Sequence, residues 1–187
     1  MNGQRDVLAI PFFIRIALRT LRRSSTLELL LCLFVGTSMA QTPKAATSLL
    51  HKEAPEFVRI DFENRRLDLH AYRGKVVLLD FWATWCASCQ LEMPRFVAWQ
   101  TKYGPRGLQI IGISMDDDPA LARKVYEKQR LNYPVAMGDE KLGQLYGGVL
   151  GLPLAYLIDT HGKVYAQFRG ETDLKLIEGQ FKPLLRP

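Results

Sequence analysis

Two cysteines three residues apart, Cys86 and Cys89 in "WATWCASCQ", are the residues of this chain best suited to chemistry. Thiols at i and i+3 on the first turn of a helix lie within disulfide distance, and the leading one sits among the unpaired N–H groups of the helix start. That setting favours a thiolate at Cys86, and the thiolate is the form that attacks a disulfide. Cys89, one turn deeper, would then attack Cys86 and release the reduced partner, which makes the pair a reversible two-electron switch. Two other uses stay open on the residues alone. A structural disulfide of so short a span constrains the unfolded chain little. A closed metal site wants four ligands where one CxxC supplies two, and His51, His70 and His161 are scattered without ligand spacing. A carboxylate is also at hand: Asp80 closes an apolar run, where loss of water raises a carboxyl pKa and lets it take the proton of Cys89. A strand-end acid bonded to a neighbour is the plainer reading of Asp80. Glu92 follows Cys89 by one helical turn on the same face, a place equally open to an ordinary solvated glutamate.

These residues need a strand and a helix to hold them. "KVVLLDFWA" is a continuous apolar run with β-branched residues, as in a strand covered on both faces. The segment after Cys86 reads as helix to about Tyr103, with Leu91, Phe96, Val97 and Trp99 apolar and Gly104 and Pro105 ending it. Pro94 falls inside that helix, where its missing N–H predicts a kink. "LQIIGISM" from Leu108 predicts a second buried strand, and "DDDPALARKVYEKQRLN" a helix with acids and Pro119 at its start and Arg130 near its end. Strand, helix, strand, helix is the alternation of an α/β domain. Ahead of it, "EFVRIDFENRRLDLH" alternates around a turn at Glu63 and Asn64, which predicts a hairpin. Behind it come a short strand over Tyr133 to Met137, a short helix near Lys141 to Tyr146, a hairpin closed by "THG" and a last helix in "ETDLKLIEGQFKPLL". No repeat, low-complexity tract or second domain interrupts this order.

The first forty residues have a different character. Arg15, Arg19, Arg22 and Arg23 precede the apolar "LELLLCLFVG", and Ser38 and Ala40 supply the small side chains of a cleavage site. Residues 1–40 are therefore expected to be a signal peptide, since an uncleaved anchor needs about 20 apolar residues. Residues 41–53, polar and proline-bearing, read as a linker or tether, and 54–187 as the folded domain. With five Arg and two acids in the leader, the formal charge drops from +6 to +3 on cleavage. No basic run with interleaved aromatics marks a nucleic-acid surface. Cys32 leaves with the leader, and Cys86 and Cys89 then work where disulfides persist.

The run "VVLLDFWATWCASCQLEMP", with a Gly-x-Pro before a strand about 65 residues later, resembles the active-site region of thioredoxin-like proteins, specifically the exported TlpA/ResA-type thiol-disulfide oxidoreductases. The likeness runs from "APEFVRIDF" to the final helix. It implies a thioredoxin fold: a central mixed β-sheet flanked by helices, with an added N-terminal β-hairpin. It implies that Cys86 is the exposed attacking cysteine and Cys89 the buried resolving one. Pro153 matches the family's cis-proline, which places Leu152 and its backbone beside the cysteines to receive a substrate chain. Asp80 and Glu92 match acids that serve the cysteines, and Trp82 and Trp85 match residues that pack beside the disulfide. Ala87-Ser88 stands where many relatives have a proline before the second cysteine, and Asp80 where many have an amide.

The resemblance also implies disulfide-bearing exported proteins as substrates, a membrane thiol as electron donor and no cofactor. Cytochrome c maturation and oxidase assembly are typical client pathways of such proteins. The expected protein is a monomer, periplasmic or otherwise exported, soluble or held by its N-terminus. The same pair can run backwards as a thiol oxidase, because about 30 mV shifts a two-electron equilibrium tenfold. It can also hold Cu(I) in an assembly module, because soft thiolates suit that ion. A peroxide-reducing relative fits less well, since its attacking cysteine has no CxxC partner one turn away.

Overall fold

The computed structural model describes residues 48–187; the expected signal peptide and the first part of the expected linker lie outside the described residues. The strand read from "KVVLLDFWA" forms as β3 (Val76–Trp82), after β1 (Val58–Ile60) and β2 (Arg66–Asp68). It pairs in parallel with β4 (Leu108–Ser114), Asp80 standing opposite Gly112 and Trp82 opposite Ser114. Every residue of β3 and β4 is buried, as side chains pointing to two covered faces require. β5 (Val135–Met137) extends the parallel side, while β6 (Leu154–Ile158) and β7 (Val164–Arg169) add antiparallel strands on the other. The strand order β5-β4-β3-β6-β7 gives the mixed central sheet expected from the resemblance.

One face of that sheet carries Val76, Leu78 and Trp82 and is covered by α1 (Ala87–Tyr103), α2 (Pro119–Lys128) and α4 (Leu174–Phe181). The other carries Val77, Leu79 and Phe81 and is covered by the N-terminal segment and α3 (Glu140–Leu145). β1 and β2 form their own two-stranded sheet. Its turn is held by the Asp61 carboxylate, which accepts from the backbone N–H of Glu63 at 2.9 Å and of Arg65 at 2.8 Å. Phe62 N–H to the Val135 carbonyl, 2.8 Å, ties that turn to β5. At the other edge His51 N–H donates to the Val164 carbonyl and Val164 N–H to the Lys52 carbonyl, both at 2.8 Å, so the chain is fixed to β7 from His51 onward.

In α1 the inward stripe is Cys89, Met93, Phe96, Trp99 and Tyr103, all buried, and the helix continues through Pro94. Leu91, expected among its apolar residues, is 79% exposed. At 100° per residue it lies about 200° from Cys89 and so on the opposite face. Glu92 falls inside the stripe instead. Among the described residues no helix is long and apolar enough to cross a membrane.

Candidate active site

β3 delivers the chain to the site and α1 receives it, with Ala83, Thr84 and Trp85 between them. This short connection is held from two sides. Asp116, buried just beyond β4, accepts from Thr84 N–H at 3.0 Å, from the Thr84 hydroxyl at 2.6 Å and from the Ser114 hydroxyl at 2.8 Å. The Gln90 side-chain amide donates to the Thr84 carbonyl at 2.7 Å from α1. Asp116 and Asp118 were both legible only as acids at a helix start. Asp118 does cap α2, accepting from Ala120 N–H, while Asp116 turns inward. Asp116→Ala would leave three donors without an acceptor, two on half-buried Thr84 and one on buried Ser114, so we expect a loss of about 2–4 kcal/mol in urea unfolding. An unchanged midpoint would show that the loop does not depend on this carboxylate.

Cys86 is the N-cap of α1, and its sulfur accepts from the backbone N–H of Cys89 at 3.2 Å. The helix start thus presents a donor to whatever charge the sulfur carries. The Ser88 hydroxyl lies 3.7 Å from the same sulfur, a second polar contact from the position where many relatives place a proline. Cys86 and Cys89 are joined by a disulfide with Cα atoms 5.3 Å apart. The expected contrast between an exposed and a buried cysteine is weaker than foreseen: Cys86 keeps 5% of its surface and Cys89 2%. The cause is the cap itself, which turns the Cys86 side chain back under the first turn and into the cluster of Trp82 and Met93. Trp85 and Ala87, the flanking residues, are the exposed ones.

The two tryptophans separate. Trp82 is fully buried in the cluster that contains both cysteines, whereas Trp85 is 71% exposed. The Leu152–Pro153 bond is cis. Pro153 is buried, its carbonyl accepts from Gly170 N–H at 2.8 Å, and half-buried Leu152 packs against the cluster of the cysteines.

Asp80 lies on the face of β3 that α1 covers, in the alternation Leu78, Asp80, Trp82. Burial pushes its carboxyl well above the ordinary 3.8, and the charge of Glu92 pushes in the same direction. Glu92 is itself only 9% exposed; burial, then the charge of Glu171, raises it to about 7. Two carboxyls that resist ionisation therefore face each other, Asp80 on β3 and Glu92 on the buried face of α1. No group of three or more His, Cys, Asp or Glu able to hold a metal occurs among the described residues.

The five-stranded mixed sheet with a cysteine pair at a strand-to-helix junction defines a thioredoxin-fold protein with a dithiol/disulfide centre. Residues 50–167 match the model of the AhpC/TSA family, and the chain belongs to that family. A relative named thiol-disulfide oxidoreductase ResA, from Bacillus thuringiensis subsp. konkukian, is 34% identical over 160 residues, covering 83% of this chain and 91% of its own. A ResA of Bacillus cereus is 36% identical over 135 residues, covering 71% of this chain and 77% of its own. Among solved structures, a provisionally named thiol:disulfide interchange protein DsbE of Chlorobium tepidum superposes with a TM-score of 0.66 at 31% identity. It covers 71% of this chain and 94% of that one.

Proposed function

We propose that this protein is a thiol-disulfide oxidoreductase that is exported and reduces disulfides in other exported proteins through Cys86 and Cys89. The observation that carries the reading is the Cys86 sulfur seated as the cap of α1, bonded to Cys89 and facing a Cys89 N–H at 3.2 Å. In the reduced protein the Cys86 thiolate attacks one sulfur of a client disulfide, and the other client sulfur leaves as a thiolate. Asp80 then takes the proton of Cys89, the Cys89 thiolate attacks Cys86, and the second client thiolate departs. When a donor dithiol reduces the Cys86–Cys89 disulfide, Cys89 leaves as thiolate and recovers the proton from Asp80. The proton thus shuttles between two buried atoms while electrons pass through Cys86. Glu92, with a pKa of about 7, supplies or withdraws charge beside this exchange.

Trp85, beside Cys86 and open to solvent, offers a client chain an apolar surface, and Leu152 with Pro153 offers backbone next to the cysteines. The Arg-rich, apolar, small-residue order of the first forty residues supports export, with the electrons coming from a membrane thiol donor and the protein acting as a monomer. Cytochrome c maturation is one client pathway consistent with this reading.

The test is the redox equilibrium of the pair against glutathione. A reductase keeps its disulfide even at a high ratio of reduced to oxidised glutathione. A pair that stays dithiol under those conditions would reverse the direction and make the protein a thiol oxidase.

A further inference from the structure

Three buried polar atoms in one neighbourhood have no hydrogen-bond partner: Asp80 Oδ1, Trp82 Nε1 and the Tyr133 hydroxyl. Gly112 brings them together. It stands opposite Asp80 in the parallel β3–β4 register. A Cβ on Gly112 would sit 3.2 Å from Trp82 Nε1 and 3.5 Å from Tyr133 Cε2, so the indole and phenol edges occupy the space beside Asp80 that a side chain would fill. Buried polar groups are as a rule paired, and each orphan is destabilising, so a phenylalanine at 133 would pack as well at lower cost. Trp82 Nε1 and Tyr133 are donors. Asp80 becomes an acceptor of full charge only when it ionises.

We propose that Tyr133 is a positioning residue for the Cys89 proton: its hydroxyl, together with the Trp82 indole N–H, donates to the Asp80 carboxylate that exists while Cys89 holds the proton, directly or through a water the three groups share. The inference rests on the reductase chemistry above and adds the donors it requires. Glu92 faces Asp80 from α1, the helix that also carries buried Cys89, and Tyr133 from the segment before β5; the β4 and β6 neighbours, Gly112 and Ala155, bring no charge. Glu171 acts on Glu92. Burial, then the Asp80 charge, holds the Tyr133 hydroxyl well above its ordinary range, so it stays protonated and serves as a donor throughout. Tyr133 gives up no proton: the Cys89 proton goes to Asp80, the Cys89 thiolate attacks Cys86, and the bound thiolate leaves.

Single-turnover reaction of the reduced protein with 5,5′-dithiobis(2-nitrobenzoate) separates the steps, because attack by Cys86 and resolution by Cys89 each release one nitrothiobenzoate. In Tyr133→Phe the first release stays within about twofold, and the second slows roughly five- to tenfold at pH 7 because an ionised group has lost a hydrogen bond. The pH midpoint of the second release moves upward. In an Asp80→Asn background Tyr133→Phe adds nothing. A curve scaled down with its midpoint unmoved, or equal slowing in the Asp80→Asn background, would overturn the proposal, since merely damaged packing behaves that way. Independently, the Asp80 carboxylate stretching band of the reduced form in the oxidised-minus-reduced infrared spectrum shifts in Tyr133→Phe; an unmoved band also overturns it. Absence of the first release in the unsubstituted protein would instead refute the reductase reading itself.

Discussion

Cys89→Ser will stop the reaction at its midpoint, leaving the protein bound to its client by a disulfide from Cys86. The first thiolate release persists, because the donor that supports the Cys86 sulfur is the backbone N–H of residue 89, which serine retains. The second release falls by at least about a thousandfold. A sulfur held one turn away acts at an effective concentration that intramolecular reactions place at about 10⁵ M or more, and no external thiol approaches that. Serine fits the volume, and so short a disulfide loop contributes little to stability, so the fold survives. The trapped species is seen as a higher-mass band on a non-reducing gel that dithiothreitol dissolves. Cys86→Ser yields neither release nor band. Sustained turnover by Cys89→Ser would mean that an external thiol performs the resolution and that Cys89 is dispensable.

Asp80→Asn separates stability from rate. Its carboxyl is raised, so the folded protein binds that proton more tightly than the unfolded chain does. The contribution is fully present below the unfolded value near 3.8 and is lost as pH rises through the elevated folded value. Glu92 behaves alike over a defined window: its rise from 4.5 to about 7 removes on the order of 3 kcal/mol of stability between those pH values. The native protein should therefore weaken from pH 4 upward. Asparagine and glutamine carry no such proton, so Asp80→Asn and Glu92→Gln should unfold at higher urea than the native chain at pH 8, with a flatter pH dependence. The same Asp80→Asn slows resolution of the mixed disulfide by roughly 10²-fold, as loss of a general base does, while Cys86 attack is largely intact. A variant less stable at pH 8, or one that slows both steps equally, would contradict this division of labour.

The elements that carry the site were legible because their sequences are extreme. β3 and β4 are apolar on both faces and admit no other placement, and the cysteine spacing needs a helix start to make sense. What stayed hidden depended on rotation and on distant partners. Leu91 and Glu92 are neighbours in sequence, and only the position of the stripe through Cys89 and Met93 decides that the leucine faces water and the glutamate does not. Asp116 sits in a run of three acids that reads as a helix cap, and nothing local tells that Thr84, thirty-two residues earlier, folds onto it. Tyr133 precedes a three-residue strand and would pass for packing; its meaning comes from Gly112 and Asp80 on two other strands. The coverage of Cys86 likewise follows from its cap geometry, which composition cannot convey.

That coverage has a cost and a use. With 5% of Cys86 and 2% of Cys89 reachable, the disulfide is a small target, and a free thiol in bulk solution attacks it slowly. Under the proposed function, electrons would pass fastest when a partner of matching shape settles against Trp85 and brings its own sulfur to the opening. In the oxidising compartment that the proposed export would reach, such insulation would slow the leak of reducing power to the surroundings, so that the pair would act as a private conductor between two chosen proteins.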